Sequence, residues 1–84
     1  KDLNFTEEEE EKIRIESEII KATIEAREKN SISQTELSKR TGLKQSAIAR
    51  VERGVHSPSV NTLIKILMPL GYTLSVVPLK KIKK

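Results

Sequence analysis

The segment from residue 33 to 53 constrains the fold more than any other part of this 84-residue chain. It reads SQTELSKRTGLKQSAIARVER and predicts two short helices joined by a tight turn. Ser33 is a favourable N-cap for the first helix, and Glu36 three residues later completes the pattern of a capping box. Gly42 follows this helix, and glycine adopts positive φ without steric cost. We therefore expect the chain to leave the first helix at Gly42 and to start a second helix immediately afterwards.

The second helix is predicted over about residues 44–53, and its two faces differ in character. Ile48 and Val51 lie three residues apart and predict a packing face, which Leu37 and Leu43 join from the preceding segment. Polar side chains that can reach base edges stand on the other face, and they are Lys44, Gln45 and Ser46. A helix pair with one packing face and one reading face is typical of a helix-turn-helix, whose second helix enters the major groove of DNA.

These residues resemble the Xre/Cro-type helix-turn-helix family, which includes the small lambdoid phage repressors. The resemblance covers roughly residues 20–71 and rests on Gln34, the ELSKR run, Gly42, the ERG ending at 52–54 and the SPSVNTL segment at 57–63. Thr41 departs from the pattern, because the family usually has an apolar residue there, although its methyl group can still pack. The resemblance implies a mainly α, lambda-repressor-like bundle of about five helices. It also implies a partly buried ion pair between Arg27 and Glu52.

The side chains expected to meet DNA fall into two groups. Lys44, Gln45, Ser46 and Arg50 are assigned to the bases, although Arg50 can equally reach a phosphate or remain solvated. The resemblance implies that Ser33, Gln34 and Arg53 contact phosphates instead. For Gln45 and Ser46 the alternative is that they are ordinary polar residues of the surface.

The net charge of +4 conceals an asymmetry along the chain. Residues 1–16 hold seven acidic and three basic residues, a net charge of −4, whereas residues 17–84 hold five acidic and thirteen basic residues, a net charge of +8. A basic domain suits a polyanion such as DNA. The acidic head contains five consecutive glutamates, which are Glu7, Glu8, Glu9, Glu10 and Glu11. Because consecutive residues of a helix point in different directions, we expect a solvated face or a protein-binding surface there rather than a metal or catalytic site.

The chain divides into three predicted segments. Residues 1–16 form an acidic helical segment, which opens with a capping box of Thr6 and Glu9. Its helix could run to about residue 29, with a possible break near Ser17 and with Ile13, Ile20 and Ile24 on one side. Residues 17–71 form the DNA-binding domain, whose last helix is opened by Pro58. At the 3.6-residue period that helix is expected to bury Val60, Leu63, Ile64 and Leu67.

Residues 72–84 form the third segment, a dimerising strand followed by a basic tail. The run YTLSVVPL at 72–79 is β-branched and apolar, and it is the one segment that predicts a strand. A lone strand leaves its backbone groups unpaired. We therefore expect it to pair with the same strand of a second copy, using Tyr72, Leu74, Val76 and Val77. A disordered tail is the alternative.

No catalytic arrangement is visible in the sequence. It has no cysteine, a lone histidine at position 56 that is expected to be a solvated loop residue, and no glycine-rich phosphate loop. We expect a non-enzyme without cofactor or metal. No apolar run approaches the ~20 residues of a membrane-spanning helix, and nothing resembles a signal peptide, so a cytoplasmic protein is expected.

The order of these segments is similar to that of HigA-type antitoxins. The resemblance implies a homodimer that binds a double-stranded operator with an inverted repeat, neutralises an mRNA-cleaving toxin through the acidic head and represses its own operon. One alternative is a stand-alone Xre-type transcriptional repressor without a toxin partner. Another is a protein-interaction adaptor on the same fold, which the polar and basic start of the reading helix disfavours.

Overall fold

A computed structural model describes residues 6–79 as four α-helices followed by a 3-10 turn. Their bounds are α1 Glu7–Lys29, α2 Gln34–Thr41, α3 Gln45–Arg53, α4 Val60–Leu67 and the 3-10 turn Met68–Leu70. The predicted helix-turn-helix bundle is confirmed, with four α-helices in the described part of the chain instead of about five. None of these helices is both long enough and apolar enough to cross a lipid bilayer.

Helix α1 begins at the predicted capping box. The Glu9 backbone N–H donates to Thr6 Oγ1 at 3.1 Å, and the Thr6 N–H donates to Glu9 Oε1 at 2.9 Å. The helix then continues for 23 residues without the possible break near Ser17. Arg14 bridges that region, since its guanidinium bonds to Glu11 on one side and to Glu18 Oε2 at 2.6 Å on the other. The hydrogen bond with Glu11 is the main cause of the raised pKa of Arg14.

The core lies where α1, α2, α3 and α4 meet. Leu37 of α2, Ile48 of α3 and Ile66 of α4 are fully buried there. From α1 the buried side chains are Thr23 and Ala26, while Ile20 and Ile24 are half-buried and Ile13 is exposed. The small side chains of Thr23 and Ala26 allow the other helices to approach α1 closely.

The buried face of α4 differs from the predicted one. Val60 and Ile64, expected in the core, are 64% and 37% exposed, whereas Leu63, Ile66 and Leu67 are buried. The prediction is confirmed for Leu63 and Leu67 and wrong for Val60 and Ile64, and Ile66 occupies a core position that was not predicted. The helix begins at Val60, with Ser59 and not Pro58 as its N-cap, and the Ser59 hydroxyl accepts the Thr62 N–H at 3.0 Å. The buried positions then follow the i, i+3, i+4, i+7 pattern from Leu63 to Leu70.

Residues 72–79 form no strand within the single described chain. The Tyr72 N–H donates to the Leu67 carbonyl at 3.0 Å, and Leu74 packs against the core. Residues 73–79 make no backbone–backbone hydrogen bond to any residue from 6 to 79. Pairing of this segment between two copies stays a prediction. The start of the acidic segment, residues 1–5, and the basic tail, residues 80–84, lie outside the described residues.

Candidate nucleic-acid interface

The turn between α2 and α3 is fixed by short-range hydrogen bonds. Ser33 caps α2 as predicted, accepting the Glu36 N–H at 3.0 Å, but the Glu36 carboxylate bonds to Arg40 instead of closing the capping box. Gly42 has the expected positive φ of 81°. Just beyond it the Leu43 carbonyl accepts a hydrogen bond of 2.6 Å from the Ser38 hydroxyl. This bond holds the start of α3 against α2, which fixes the angle at which α3 is presented.

Thr41 has a role that the sequence comparison did not suggest. Its hydroxyl donates to the Leu37 carbonyl at 2.9 Å and accepts the Leu43 N–H at 3.1 Å. The side chain therefore links the backbone on the two sides of Gly42 and gives the Leu43 N–H, which lies between the two helices, a hydrogen-bond partner. The polar residue in place of the usual apolar one stabilises the same turn by hydrogen bonding.

Helix α3 separates a buried face from an exposed face. Ile48 and Val51 are buried against the core. The predicted base-reading side chains, Lys44, Gln45, Ser46 and Arg50, are all exposed, and so is Arg53. Lys44 is the N-cap residue of α3 and Gln45 its first residue. Lys44, Gln45 and Ser46 therefore cluster at the helix N-terminus, the end that enters the major groove in this motif, whereas Arg50 and Arg53 lie in the last turn.

One open groove collects most of the predicted DNA-binding side chains. Gln45, Ser46, Arg50 and Arg53 line it from α3, and Gln34 lines it from α2. Lys44 and Ser33 are not among its lining residues. Ile24 of α1 also lines the groove, together with Ala49. The sequence pattern placed Ile24 on one side of α1 with Ile13 and Ile20 and gave Ala49 no role, although the 3.6-residue period puts Ala49 beside Ser46 and Arg53.

A chain of hydrogen bonds links side chains that line this groove. Gln45 Nε2 donates to Gln34 Oε1 at 2.6 Å, and Gln34 Nε2 donates to Glu52 Oε1 at 2.8 Å. Gln34, predicted to contact a phosphate, therefore has both ends of its amide engaged with protein groups in this structure. The network connects Gln45, the first residue of α3, to the half-buried Glu52.

Arg27 and Glu52 anchor the inner end of the network. Arg27 Nε lies 2.7 Å from Glu52 Oε2, and Arg27 Nη2 lies 3.0 Å from Glu52 Oε1, which makes the pair bidentate. Only 14% of the Arg27 side chain and 8% of the Glu52 side chain are exposed. The hydrogen bond with Glu52 raises the pKa of Arg27. A third bond of 2.8 Å, from Arg27 Nη1 to the Ile32 carbonyl, ties the pair to the α1–α2 connection.

The five consecutive glutamates at 7–11 are not among the lining residues of the groove. Glu7, Glu8, Glu9 and Glu10 are exposed in the first turns of α1, and Glu11 is half-buried and bonded to Arg14. Thirteen residues separate Glu11 from Ile24 at the groove, which at 1.5 Å per residue is ~20 Å along the helix axis. This distance is more than two Debye lengths at physiological salt, so the glutamates at 7–11 are largely screened from ions in the groove.

A contact outside the predicted set joins α1 to the loop that follows α3. The Ser57 hydroxyl donates to Glu16 Oε2 at 2.7 Å, and this hydrogen bond is the main cause of the lowered pKa of Glu16. The 41-residue separation of the two side chains left no local pattern that could predict the contact. His56, next to Ser57, is exposed as expected. Within residues 6–79 no three His, Cys, Asp or Glu side chains are grouped so that they could hold a metal ion.

Comparison with known proteins agrees with this geometry. Residues 24–77 match the model of a family described as Helix-turn-helix. An uncharacterized HTH-type transcriptional regulator of Haemophilus influenzae is 45% identical over 76 residues, which are 90% of this chain and 78% of that protein. An uncharacterized HTH-type transcriptional regulator y4dL of Sinorhizobium fredii is 40% identical over 55 residues, which are 66% of this chain and 28% of that protein.

A solved structure is also similar. It is described as a toxin–antitoxin module from Streptococcus pneumoniae, and it superposes with a TM-score of 0.72 at 43% sequence identity. The alignment covers 89% of this chain and 83% of that chain. The family match spans well over half of the chain, and it includes the capped α2, the Gly42 turn and the exposed polar face of α3. The chain therefore belongs to the Xre-type helix-turn-helix family.

Proposed function

We propose that this protein is a sequence-specific DNA-binding regulator that acts as an antitoxin, neutralising a partner ribonuclease toxin and repressing its own operon. The observation that carries the antitoxin role is the similarity, at 43% identity over 89% of the chain, to a structure described as a toxin–antitoxin module. The regulator role rests on the groove of α3 and on relatives described as HTH-type transcriptional regulators.

Gln45 is the proposed centre of base reading. Its hydrogen bond to Gln34 uses one hydrogen of the Nε2 amide, so the second hydrogen and Oε1 remain available to DNA. A neighbouring donor and acceptor are what an adenine edge requires for a bidentate contact in the major groove. Ser46, Lys44 and Arg50 are proposed to contact adjacent bases. Gln34, Ser33 and Arg53 are proposed to contact phosphates, which gives affinity without sequence preference.

The experiment that tests DNA reading uses operator sequences selected from random duplex DNA by the wild-type protein. Gln45→Ala should lose ~1–3 kcal/mol of discrimination between the selected sequence and a scrambled one. Arg53→Ala should weaken binding to both sequences about equally and reduce the salt slope by about one. Lys65→Ala is the matched control, because it removes the same charge from an exposed position outside the groove. If Gln45→Ala binds both sequences with unchanged discrimination, α3 is not the reader.

The acidic head is the proposed toxin-binding surface. Four of its glutamates are exposed, and a basic ribonuclease would be attracted to them, because complementary charge speeds association. Replacing Glu7 to Glu11 with glutamine should slow toxin association and leave operator binding intact or slightly stronger. Glutamine at position 9 keeps the capping pattern of α1. Glu25→Gln with Glu28→Gln is the control, since these exposed glutamates lie near the other end of the same helix.

A stand-alone repressor is the second candidate function, favoured by the curated relatives that are described as transcriptional regulators. The two candidates differ in their protein partner. The neighbouring gene should encode a small toxin, and the two proteins should co-purify when expressed together. If the neighbouring gene encodes no toxin and no protein co-purifies from the native host, the stand-alone repressor is the better interpretation.

Homodimerisation through residues 72–79 completes the proposal. The backbone groups of residues 73–79 have no backbone partners among residues 6–79, and antiparallel pairing about a two-fold axis would satisfy them. Tyr72, Leu74, Val76 and Val77 are the proposed contact side chains. A dimer of this kind would bind an inverted repeat. Deletion of residues 72–84 should give monomers in analytical ultracentrifugation and a steep loss of operator affinity, because one half-site offers too few contacts.

A further inference from the structure

Residues 72–79 run back along α1 toward its N-terminus. Residues 72–74 line one groove with the middle and the last turns of α1. Leu79 lines a second groove with the first turns of the same helix, from Glu8 to Glu16. The α1 residues of the two grooves are centred about ten positions apart, which is ~15 Å along the helix axis, and an extended segment covers that distance at ~3.3 Å per residue. The described part of the chain therefore ends beside the first turns of α1.

The groove at Leu79 combines apolar and acidic side chains. It has a volume of about 290 Å³. Its apolar lining residues are Ile15, which is half-buried, and Leu79, which is 50% exposed. The other lining residues are charged, three acidic and one basic, and they are Glu8, Glu11, Lys12 and Glu16. A segment that suits this groove has to offer an apolar side chain among positive charges.

The five residues that follow Leu79 have this composition. They read KKIKK, with Ile82 between two pairs of lysines and a net charge of +4. Residues 7–16 hold six acidic and two basic residues, a net charge of −4, and four of the six acidic side chains are exposed. An extended chain spans ~3.3–3.6 Å per residue, so Ile82 can lie up to ~10 Å beyond Leu79. The groove extends ~12 Å along α1, from Glu8 to Glu16, so Ile82 can reach it.

We propose that the basic tail, residues 80–84, docks on the first three turns of α1, with Ile82 in the groove at Leu79 and the lysines beside the glutamates. Charge and attachment identify this occupant. DNA and the same turns of α1 in a second copy are both negatively charged, and the groove would repel them. The basic tail is attached at the groove itself, and a short tether gives a binding segment an effective concentration in the millimolar range.

Docking of the basic tail would give the acidic head an occupant within its own chain. The same glutamates are the proposed toxin-binding surface, so a basic toxin would have to displace the tail. That consequence rests on the proposed function, whereas the docking of the tail does not. The contact should weaken with salt, because the Debye length falls from ~10 Å at 0.1 M to ~3 Å at 1 M.

The test places a nitroxide on the tail of the full chain and measures the relaxation of α1 amides by NMR. The sequence contains no cysteine, so Lys84→Cys provides the sole thiol for the label. The matched control carries the same label and replaces Lys80, Lys81 and Lys83 with glutamine, which keeps the tether and removes its charge. Broadening at residues 7–12 should be at least about threefold larger with the basic tail than with the control, and 1 M salt should remove most of the difference.

Two further samples test the groove and the identity of the acceptor chain. Ile82→Ser in the labelled basic tail should lower the broadening at residues 8–16 toward that of the control, because the groove would lose its apolar occupant. In a mixed sample, nitroxide-labelled chains without ¹⁵N are combined with ¹⁵N-labelled chains without nitroxide. The α1 amides of the ¹⁵N-labelled chains should stay much sharper than those of a chain that carries both labels.

Three results would overturn the inference. Equal broadening with the basic tail and with the glutamine control would mean that the tether alone brings the label close to α1. Unchanged broadening in Ile82→Ser would mean that Ile82 does not occupy the groove. Broadening in the mixed sample as strong as within one chain would place the tail on a second copy. These measurements use neither DNA nor a toxin, so failure of the docking and failure of the proposed function are distinguishable.

Discussion

Removing the Glu52 carboxylate should destabilise the domain more than any other single change on the α3 surface. Glu52 accepts three hydrogen bonds, at 2.7 and 3.0 Å from Arg27 and at 2.8 Å from Gln34. In Glu52→Ala the Arg27 guanidinium would keep its charge with only 14% of its side chain exposed. Breaking a buried pair by removing one partner costs ~3–5 kcal/mol, because the remaining charge is uncompensated. An exposed pair contributes ~0–1 kcal/mol.

The burial of the two side chains decides between these limits. Both are closer to the buried case, although Arg27 retains some contact with water, so we expect about 3 kcal/mol. For a domain of this size each kcal/mol lowers the melting temperature by ~4–8 °C, which predicts a decrease of ~12–24 °C. The assay is urea denaturation followed by circular dichroism at 222 nm, with the melting temperature as a second readout.

Two further variants separate the charge effect from lost packing. Arg27→Met combined with Glu52→Met removes both charges and keeps side-chain volume, so it should recover much of the stability that Glu52→Ala loses. Arg27→Lys keeps the charge but cannot form the two parallel hydrogen bonds, and its cost should be intermediate. A loss below about 1 kcal/mol for Glu52→Ala would mean that the pair behaves as exposed, and the reasoning from burial would be refuted.

Two other predictions concern Gly54, which ends α3, and Ser57, in the loop between α3 and α4. Gly54 has a φ of 70°, so Gly54→Ala should cost ~1–2 kcal/mol in urea denaturation from left-handed backbone strain. The added Cβ itself would meet Ile20 Cδ1 at an ordinary 3.5 Å. Gly54→Asn should cost less, because asparagine tolerates the left-handed region better than alanine. Ser57→Ala removes the hydrogen bond that lowers the pKa of Glu16. A carboxylate whose pKa is lowered in the folded state stabilises the fold at pH values above its ordinary pKa of 4.5. The difference in melting temperature between Ser57→Ala and wild type should therefore be present at neutral pH and vanish as the pH falls through the folded-state pKa of Glu16. A difference that stays constant with pH would contradict the prediction.

The sequence predicts the helix caps and turns of the fold well, and it predicts the buried face of α4 less well. Ser33, Gly42 and Gly54 act through their own backbone and nearest neighbours, so their roles follow from residue type alone. The face that α4 buries depends on where the other helices lie. Val60, Ile64 and Ile66 are all apolar, and the hydrophobic period does not determine which of them face inward. A run in which apolar residues occupy more than one face has no unique buried side.

The candidate site likewise combines features that follow from position along one helix with contacts that depend on how the helices pack. Exposure of Ser46 follows from its position opposite Ile48 and Val51 on α3, whereas Gln45 lies nearer to their face and is exposed at the first residue of the helix. The bond from Gln45 to Gln34 depends on the angle between α2 and α3, which the turn at Gly42 sets in three dimensions. The contact of Ser57 with Glu16 is longer in range still. Such contacts are set by tertiary packing, and no local pattern in one sequence specifies them.

The same side chains that stabilise the domain also orient the proposed reader. Gln45 is held by Gln34, Gln34 by Glu52, and Glu52 by the fork of Arg27. A side chain held in place before binding loses less conformational entropy when it meets a base. It follows that Arg27→Lys, which leaves every groove side chain unchanged, should reduce operator discrimination as well as stability. The two effects separate at low temperature, where the variant is fully folded. Loss of discrimination there would be caused by the orientation of Gln45 and not by unfolding.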